Sequence, residues 1–204
     1  MISRRHLMIV SAAGAFAPRF ARAQTGEAGA LVAQFAQKGI VDILAAKIPN
    51  AEKQTRFCDL FKNYFDLPAI GRFVLGRYTR MLKPEELATF TPLFEDVIVY
   101  TWSRRFADYN GQTLTVGAST ADGDYGAFVR STIVGNAGES YAVDWRLRKR
   151  PDGWKVVDVI VAGVSMAITY RNEYNTIIAQ QAGFPGLVGQ LQKQVSDLKA
   201  QQPA

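Results

Sequence analysis

The run from Trp154 to Tyr174 constrains this chain more than any other stretch. It opens with Trp154, Lys155, Val156, Val157, Asp158, Val159, Ile160 and Val161, a β-branched segment of the kind that sits in a buried strand. Gly163 then offers the backbone an exit from a sheet, and the period shifts toward that of a helix. A strand that feeds a helix wedges its junction, Val164 to Ile168, between two layers. Whatever such a fold encloses is lined in part by those residues; the plainer reading of the same run is ordinary core.

The beginning of the chain reads as an address. Arg4 and Arg5 head a basic segment, Leu7 to Phe16 is a short apolar run, and Ala21-Arg22-Ala23 is an A-x-A cleavage site ahead of Gln24. The paired arginines suit the twin-arginine route. The apolar run is too short to span a bilayer, and no later stretch is long enough. The expectation is a leader over 1–23, then a single domain over 24–204, soluble in the periplasm. Loss of the leader takes away Arg4, Arg5, Arg19 and Arg22 with no acid, so the formal charge falls from +6 to +2. A nucleic-acid footprint is then unsupported. It also takes away His6, the one histidine, which excludes Ser-His-Asp, Cys-His and histidine-metal chemistry from the mature chain. The single cysteine, Cys58, cannot form an internal disulfide, and its neighbours Phe57 and Leu60 favour burial.

Helices come first. Leu31, Phe35, Val41, Leu44 and Ile48 space an amphipathic helix from Gly26 to Lys47, closed by Pro49. A second helix spans about 51–65. Asp66 and Pro68 read as the cap and first turn of a third, which ends at Gly76. The longest begins at Pro84-Glu85-Glu86 and carries an apolar stripe toward Tyr109. Strands follow over 113–118, 125–134, 141–148 and 154–161. In the third, Tyr141, Val143, Trp145 and Leu147 alternate with Asp144, Arg146 and Arg148. Asp158 shares a predicted face with Trp154, Val156 and Ile160. Two helices, broken at Gly183 to Gly186, complete the chain. The segregation predicts an α+β fold: a curved four-stranded antiparallel sheet covered by N- and C-terminal helices around an apolar pocket.

Two segments carry a family resemblance. Leu75-Gly76-Arg77-Tyr78 with Pro84-Glu85-Glu86 and the aromatic helix to Gln112 is one; Trp154 to Tyr174, centred on Gly163-Val164-Ser165, is the other. Together they resemble the MlaC (toluene-tolerance) family, whose hopanoid-associated branch is also similar. Lys83 stands where a capping Ser or Thr is usual, and Thr79 where a second aromatic is common. The resemblance implies a periplasmic carrier of phospholipid, with no cofactor beyond that ligand and no catalytic residue. The implied partners are an inner-membrane ABC transporter complex with an MCE-type subunit and an outer-membrane lipoprotein complex. No nucleic acid is implied, and the chain is expected to be a monomer.

The expected pocket draws on four regions. Phe73, Val74, Leu75 and Tyr78 come from the third helix and its end; Phe94, Val97, Ile98 and Phe106 come from the long helix. The strands contribute Val129, Val143, Trp145, Val159 and Val161, and the junction with its helix Val164, Met166, Ile168, Tyr170 and Tyr174. Arg77 and Arg171 are the candidates for head-group contact. Two competing classes remain at this level. An enzyme needs a paired acid and base in the pocket, with Asp144 and Asp158 the only strand carboxylates; a protein-binding adaptor needs a filled core.

Overall fold

The computed structural model describes residues 18–107, 109–180 and 183–201. Residues 1–17 of the expected leader lie outside that set, as does the side chain of Phe106. Helix α1 (Pro18–Ala36) runs into a π-helical segment, Gln37–Leu44. Then come α2 (Asn50–Tyr64), α3 (Leu67–Leu75), a 3₁₀ turn (Gly76–Arg80) and α4 (Pro84–Ala107). Strands β1 (Thr113–Ala121), β2 (Gly126–Val134), β3 (Ser140–Arg150), β4 (Gly153–Val161) and β5 (Val164–Ser165) precede α5 (Met166–Gln180) and α6 (Gly183–Ala200). The α+β class is as expected.

The sheet is an antiparallel meander in the order β1-β2-β3-β4-β5, one strand more than the sequence suggests. The difference lies at the junction. Ala162 and Gly163 both have left-handed φ, 49° and 82°, the geometry of a tight hairpin turn matched to strand twist. The chain therefore folds back, with Val164 against Val161 and Ser165 against Ile160, before α5 starts. Gly163 ends the strand as predicted, but it does so by reversal.

The first helix is not uniform either. Beyond Ala36 the wider π turn rotates the stripe, so Phe35 and Leu44 stay buried while Val41 is 52% exposed. The α2–α3 corner is pinned to the sheet. Asp66 N–H donates to the Val156 carbonyl (3.0 Å), covering the part of β4 that the short β5 leaves unpaired. The Asp66 carboxylate accepts from Ala69 N (3.1 Å), capping α3 as its sequence indicates, and from Arg150 Nε (2.7 Å). At α4, Lys83 N–H donates to Glu86 (2.8 Å), half of a capping box despite the missing hydroxyl.

Packing divides the interior in two. On the helical side, α3, α4, α5 and α6 close over a solid layer that includes Val74, Leu75, Phe90, Phe94, Val97, Tyr174, Leu187 and Leu191. Tyr174 stands edge-on to both Phe90 and Phe94, with each centroid separation 6.3 Å. On the other side, the sheet faces α1, the π-helical segment and α2, and there the interior is not filled.

Candidate functional site: an apolar cavity

The unfilled space is a cavity of about 460 Å³. Its floor is the inner face of the sheet: Leu114, Ile133, Tyr141, Val143, Trp145, Val157, Val159 and Val161. Its roof is Phe35, Ala36, Gly39, Ile40 and Leu44 from α1 and the π-helical segment, with Phe57, Phe61 and Phe65 at the end of the α2 stripe. Ile70, Ile98, Trp102 and, from α5, Met166, Ala167 and Tyr170 complete the wall.

Aromatic packing builds the roof. Phe61 and Phe65 stack at 3.7 Å, and Phe35 meets Phe57, Tyr64, Phe65 and Trp145 at 5.4–6.3 Å, so one ring on α1 ties the first helices to the sheet. Two polar side chains at the wall, Trp145 and Asp158, have hydrogen-bond partners within the protein. Trp145 Nε1 donates to Ser131 Oγ (2.9 Å), whose hydroxyl donates to the Val143 carbonyl (2.7 Å). Among the described residues, Asp158 is the only charged one lining the cavity. Its two oxygens accept from Ser165 Oγ (2.5 Å) and Ala167 N (3.0 Å), and Ser165 Oγ accepts from Ile168 N (3.0 Å). The carboxylate thus caps the N-terminus of α5. With its one carboxylate and the Trp145 indole engaged, the wall offers a guest mainly apolar contact.

The mouth is marked by Tyr141, which lines the cavity yet is 52% exposed. Leu114, Ile133 and Tyr141 pair in one row across β1, β2 and β3, so the opening lies at that end of the sheet.

The structure brings Ile98, Val143, Trp145, Val159, Val161, Met166 and Tyr170 together around this space. It puts others elsewhere. Val74, Leu75, Phe94, Val97, Val129 and Tyr174 are packed core, and Tyr78 is half-buried against it. Phe73, Val164 and Ile168 are 40%, 54% and 51% exposed, so they do not face the cavity. For Val164 the cause is the reversal at Ala162–Gly163, which carries the junction out past the sheet. Arg77 lies over the Tyr78 ring (5.4 Å) and Arg171 over Phe73 (5.0 Å); neither is in the wall.

Several wall residues lie outside the expected pocket set. The i, i+4 spacing of Phe57, Phe61 and Phe65 puts them on one side of the second helix from sequence alone, but does not say that this side meets the cavity. Val157 carried no signal. A β-bulge sets Leu147 against Val156 but Arg146 against Asp158, and the extra residue, Val157, turns inward. The same bulge separates Asp158 from the face of Val156, contrary to strict alternation. Asp144 pairs with Ile160 and does not line the cavity, so the two strand carboxylates do not meet there.

Among the described residues no helix is long and apolar enough to cross a membrane, and no group of His, Cys, Asp or Glu is placed to hold a metal ion. The MlaC protein family model matches residues 36–193. The chain is 30% identical over 110 residues to the toluene tolerance protein ttg2D of Pseudomonas putida, covering 53% of this chain and 51% of that protein. It is 26% identical over 137 residues to the intermembrane phospholipid transport system binding protein MlaC of Haemophilus influenzae, covering 65% and 64%. The matched stretches therefore span about half to somewhat under two thirds of these curated relatives. A solved structure of a phospholipid-binding protein from Ralstonia solanacearum, in complex with a phospholipid, superposes with a TM-score of 0.74 at 25% identity, over 85% of this chain and 99% of that one.

Proposed function

The chain belongs to the MlaC family, and on that premise we propose that it is a periplasmic phospholipid carrier that holds acyl chain in its cavity. The observation that carries the proposal is the cavity itself, about 460 Å³ with predominantly apolar walls in which the Trp145 indole and the Asp158 carboxylate are already hydrogen-bonded. That volume is within the range of ligand pockets, roughly 300–1,000 Å³. A methylene takes about the space of a water molecule, about 30 Å³, so the cavity accommodates about fifteen. At about 0.8 kcal/mol per buried CH₂ this is an upper figure of about 12 kcal/mol, enough to offset much of the cost of drawing a chain from a bilayer. The head group, and any acyl length beyond the cavity, lies at the Tyr141 mouth in solvent.

Such a carrier needs no cofactor, nucleophile or paired acid and base. The satisfied hydrogen bonds of Asp158 favour a structural over a catalytic role for that carboxylate. Shuttling between an inner-membrane ABC transporter complex with its MCE-type subunit and an outer-membrane lipoprotein complex is the transport that fits the family. Phospholipid is the ligand named for the Ralstonia solanacearum neighbour. A transfer assay tests the carrier role: donor vesicles holding a self-quenched fluorescent phospholipid are mixed with unlabelled acceptors. Substoichiometric protein is expected to speed dequenching, with the rate proportional to protein. A rate equal to the protein-free control would refute carriage.

A further inference from the structure

The outer side of the α3–α5 junction has a composition that the cavity does not explain. Arg72 and Arg77 are exposed, as is Arg80, and Arg171 is half-buried. Among the described residues none of these four makes an ion pair, whereas Arg146, Arg148, Lys149 and Arg150 on the sheet are each matched by a carboxylate. The four are drawn together by local folding. The 3₁₀ turn bends back on α3, where Thr79 Oγ1 donates to the Arg72 carbonyl (2.8 Å). Asn175 of α5 donates to both the Val74 and Arg171 carbonyls (3.0 and 2.6 Å), clamping α5 against α3. The left-handed Gly76 (φ 57°) leaves room for the Arg171 guanidinium, which would lie 3.0 Å from a Cβ there.

Two of the guanidinium groups are held by aromatic faces: Arg171 over Phe73 at 5.0 Å and Arg77 over Tyr78 at 5.4 Å. Phe73 is 40% exposed and Ile168, one turn before Arg171 on α5, is 51% exposed. The result is a cluster of four arginines without carboxylate partners, with large apolar side chains among them, in contrast to the paired cations of β3.

We propose that this face docks on a membrane surface rich in anionic phospholipid. Fixed guanidinium groups without carboxylate partners suit phosphate oxygens, and Phe73 and Ile168 suit insertion at the head-group boundary. Position favours a lipid surface over an acidic protein. An adjoining side of α5 contributes Met166, Ala167 and Tyr170 to the cavity wall, so docking brings the cavity within about one helix diameter, about 10 Å, of the bilayer.

Co-sedimentation with sucrose-loaded vesicles tests this, whatever the cavity holds. The purified chain is expected to bind phosphatidylcholine–phosphatidylglycerol vesicles, to bind phosphatidylcholine alone far less, and to be released by salt. Each basic residue near an anionic surface contributes roughly a five-fold factor. The combined variant Arg72→Gln, Arg77→Gln, Arg80→Gln should therefore partition about a hundred-fold less, with an unchanged thermal midpoint. Ile168→Ser should lose several-fold on anionic vesicles. The triple variant should carry the same cavity lipid as the parent, which separates failure here from failure of the carrier proposal. Equal binding to both vesicle types, binding to neither, an unaffected triple variant, or a loss seen only with an acidic protein partner would overturn the proposal.

Discussion

Val159→Glu tests a lipid-filled cavity with one residue. Val159 sits in β4 opposite Trp145, half-buried, with its side chain in the cavity wall. Among the described residues no lysine or arginine lines the cavity, and Asp158 is already committed to the α5 cap. With acyl chain in place, a carboxylate at 159 would have neither water nor a counter-charge, so it would be held protonated. Keeping a glutamate of ordinary pKa near 4.3 neutral at pH 7 costs about 2.7 units, or about 4 kcal/mol. This is the ceiling on the electrostatic loss, about 500-fold in lipid affinity. At pH 5 the same reasoning leaves about 0.7 units, about 1 kcal/mol or roughly five-fold. Affinity is therefore lost as pH rises through the ordinary carboxyl range and recovers as it falls. The lipid-free cavity has room for water, so the stripped variant should melt within a few degrees of the stripped parent. The assay is phospholipid recovered per chain after equilibration with vesicles at pH 7 and pH 5, with thermal midpoints of stripped protein alongside. Unchanged lipid at pH 7, or a loss that persists undiminished at pH 5, would refute the reasoning. A stripped variant that melts far lower would show that Val159 is packed core.

Val164→Glu, by contrast, should change neither lipid recovery nor thermal midpoint beyond about 0.5 kcal/mol, because Val164 is 54% exposed; a large loss of either would place it back in the wall. Ser165→Ala removes the hydroxyl that joins Asp158 to Ile168 N and should cost about 0.5–2 kcal/mol by urea titration; no change would mean the cap is idle. Hydrogen bonds from Arg146 and then Arg148 hold the Asp122 carboxyl below the usual carboxylate range. A depressed pKa gives stability that is present above the unfolded value, near 3.9, and lost as pH falls through the folded one. The parent should thus exceed Asp122→Asn in urea midpoint at pH 7, with the gap closing as pH falls below the unfolded carboxyl range, near 3.9; a constant gap would contradict the pairing. Burial raises the Cys58 thiol pKa, so thiol reagents should label the native protein slowly and the urea-unfolded protein quickly; equal rates would contradict its half-buried setting.

Periodicity carried much of the fold. The helix starts at Asp66 and Pro84, the alternation of Tyr141, Val143, Trp145 and Leu147, and the strand from Trp154 are all local signals, and the structure keeps each. What was not legible depended on departures from ideal geometry. The π-helical segment moves Val41 out, the bulge brings Val157 in, and the paired left-handed turn at Ala162–Gly163 reverses the chain. Ala162 in particular gives no warning, since alanine rarely adopts positive φ. The cavity was only partly legible for a related reason. Phe94, Val97 and Tyr174 are as apolar as Ile98, Trp102 and Tyr170, and only tertiary packing decides which side of α4 and α5 meets solid core and which meets the open space.

The most direct test of the carrier proposal is organic extraction of the freshly purified chain followed by mass spectrometry of the extract, with native mass spectrometry of the unextracted protein in parallel. The predicted result is phospholipid in near-stoichiometric amount, with a matching mass shift that Val159→Glu abolishes at pH 7. A chain that stays free of lipid after equilibration with phospholipid vesicles, at its unliganded mass, would contradict it.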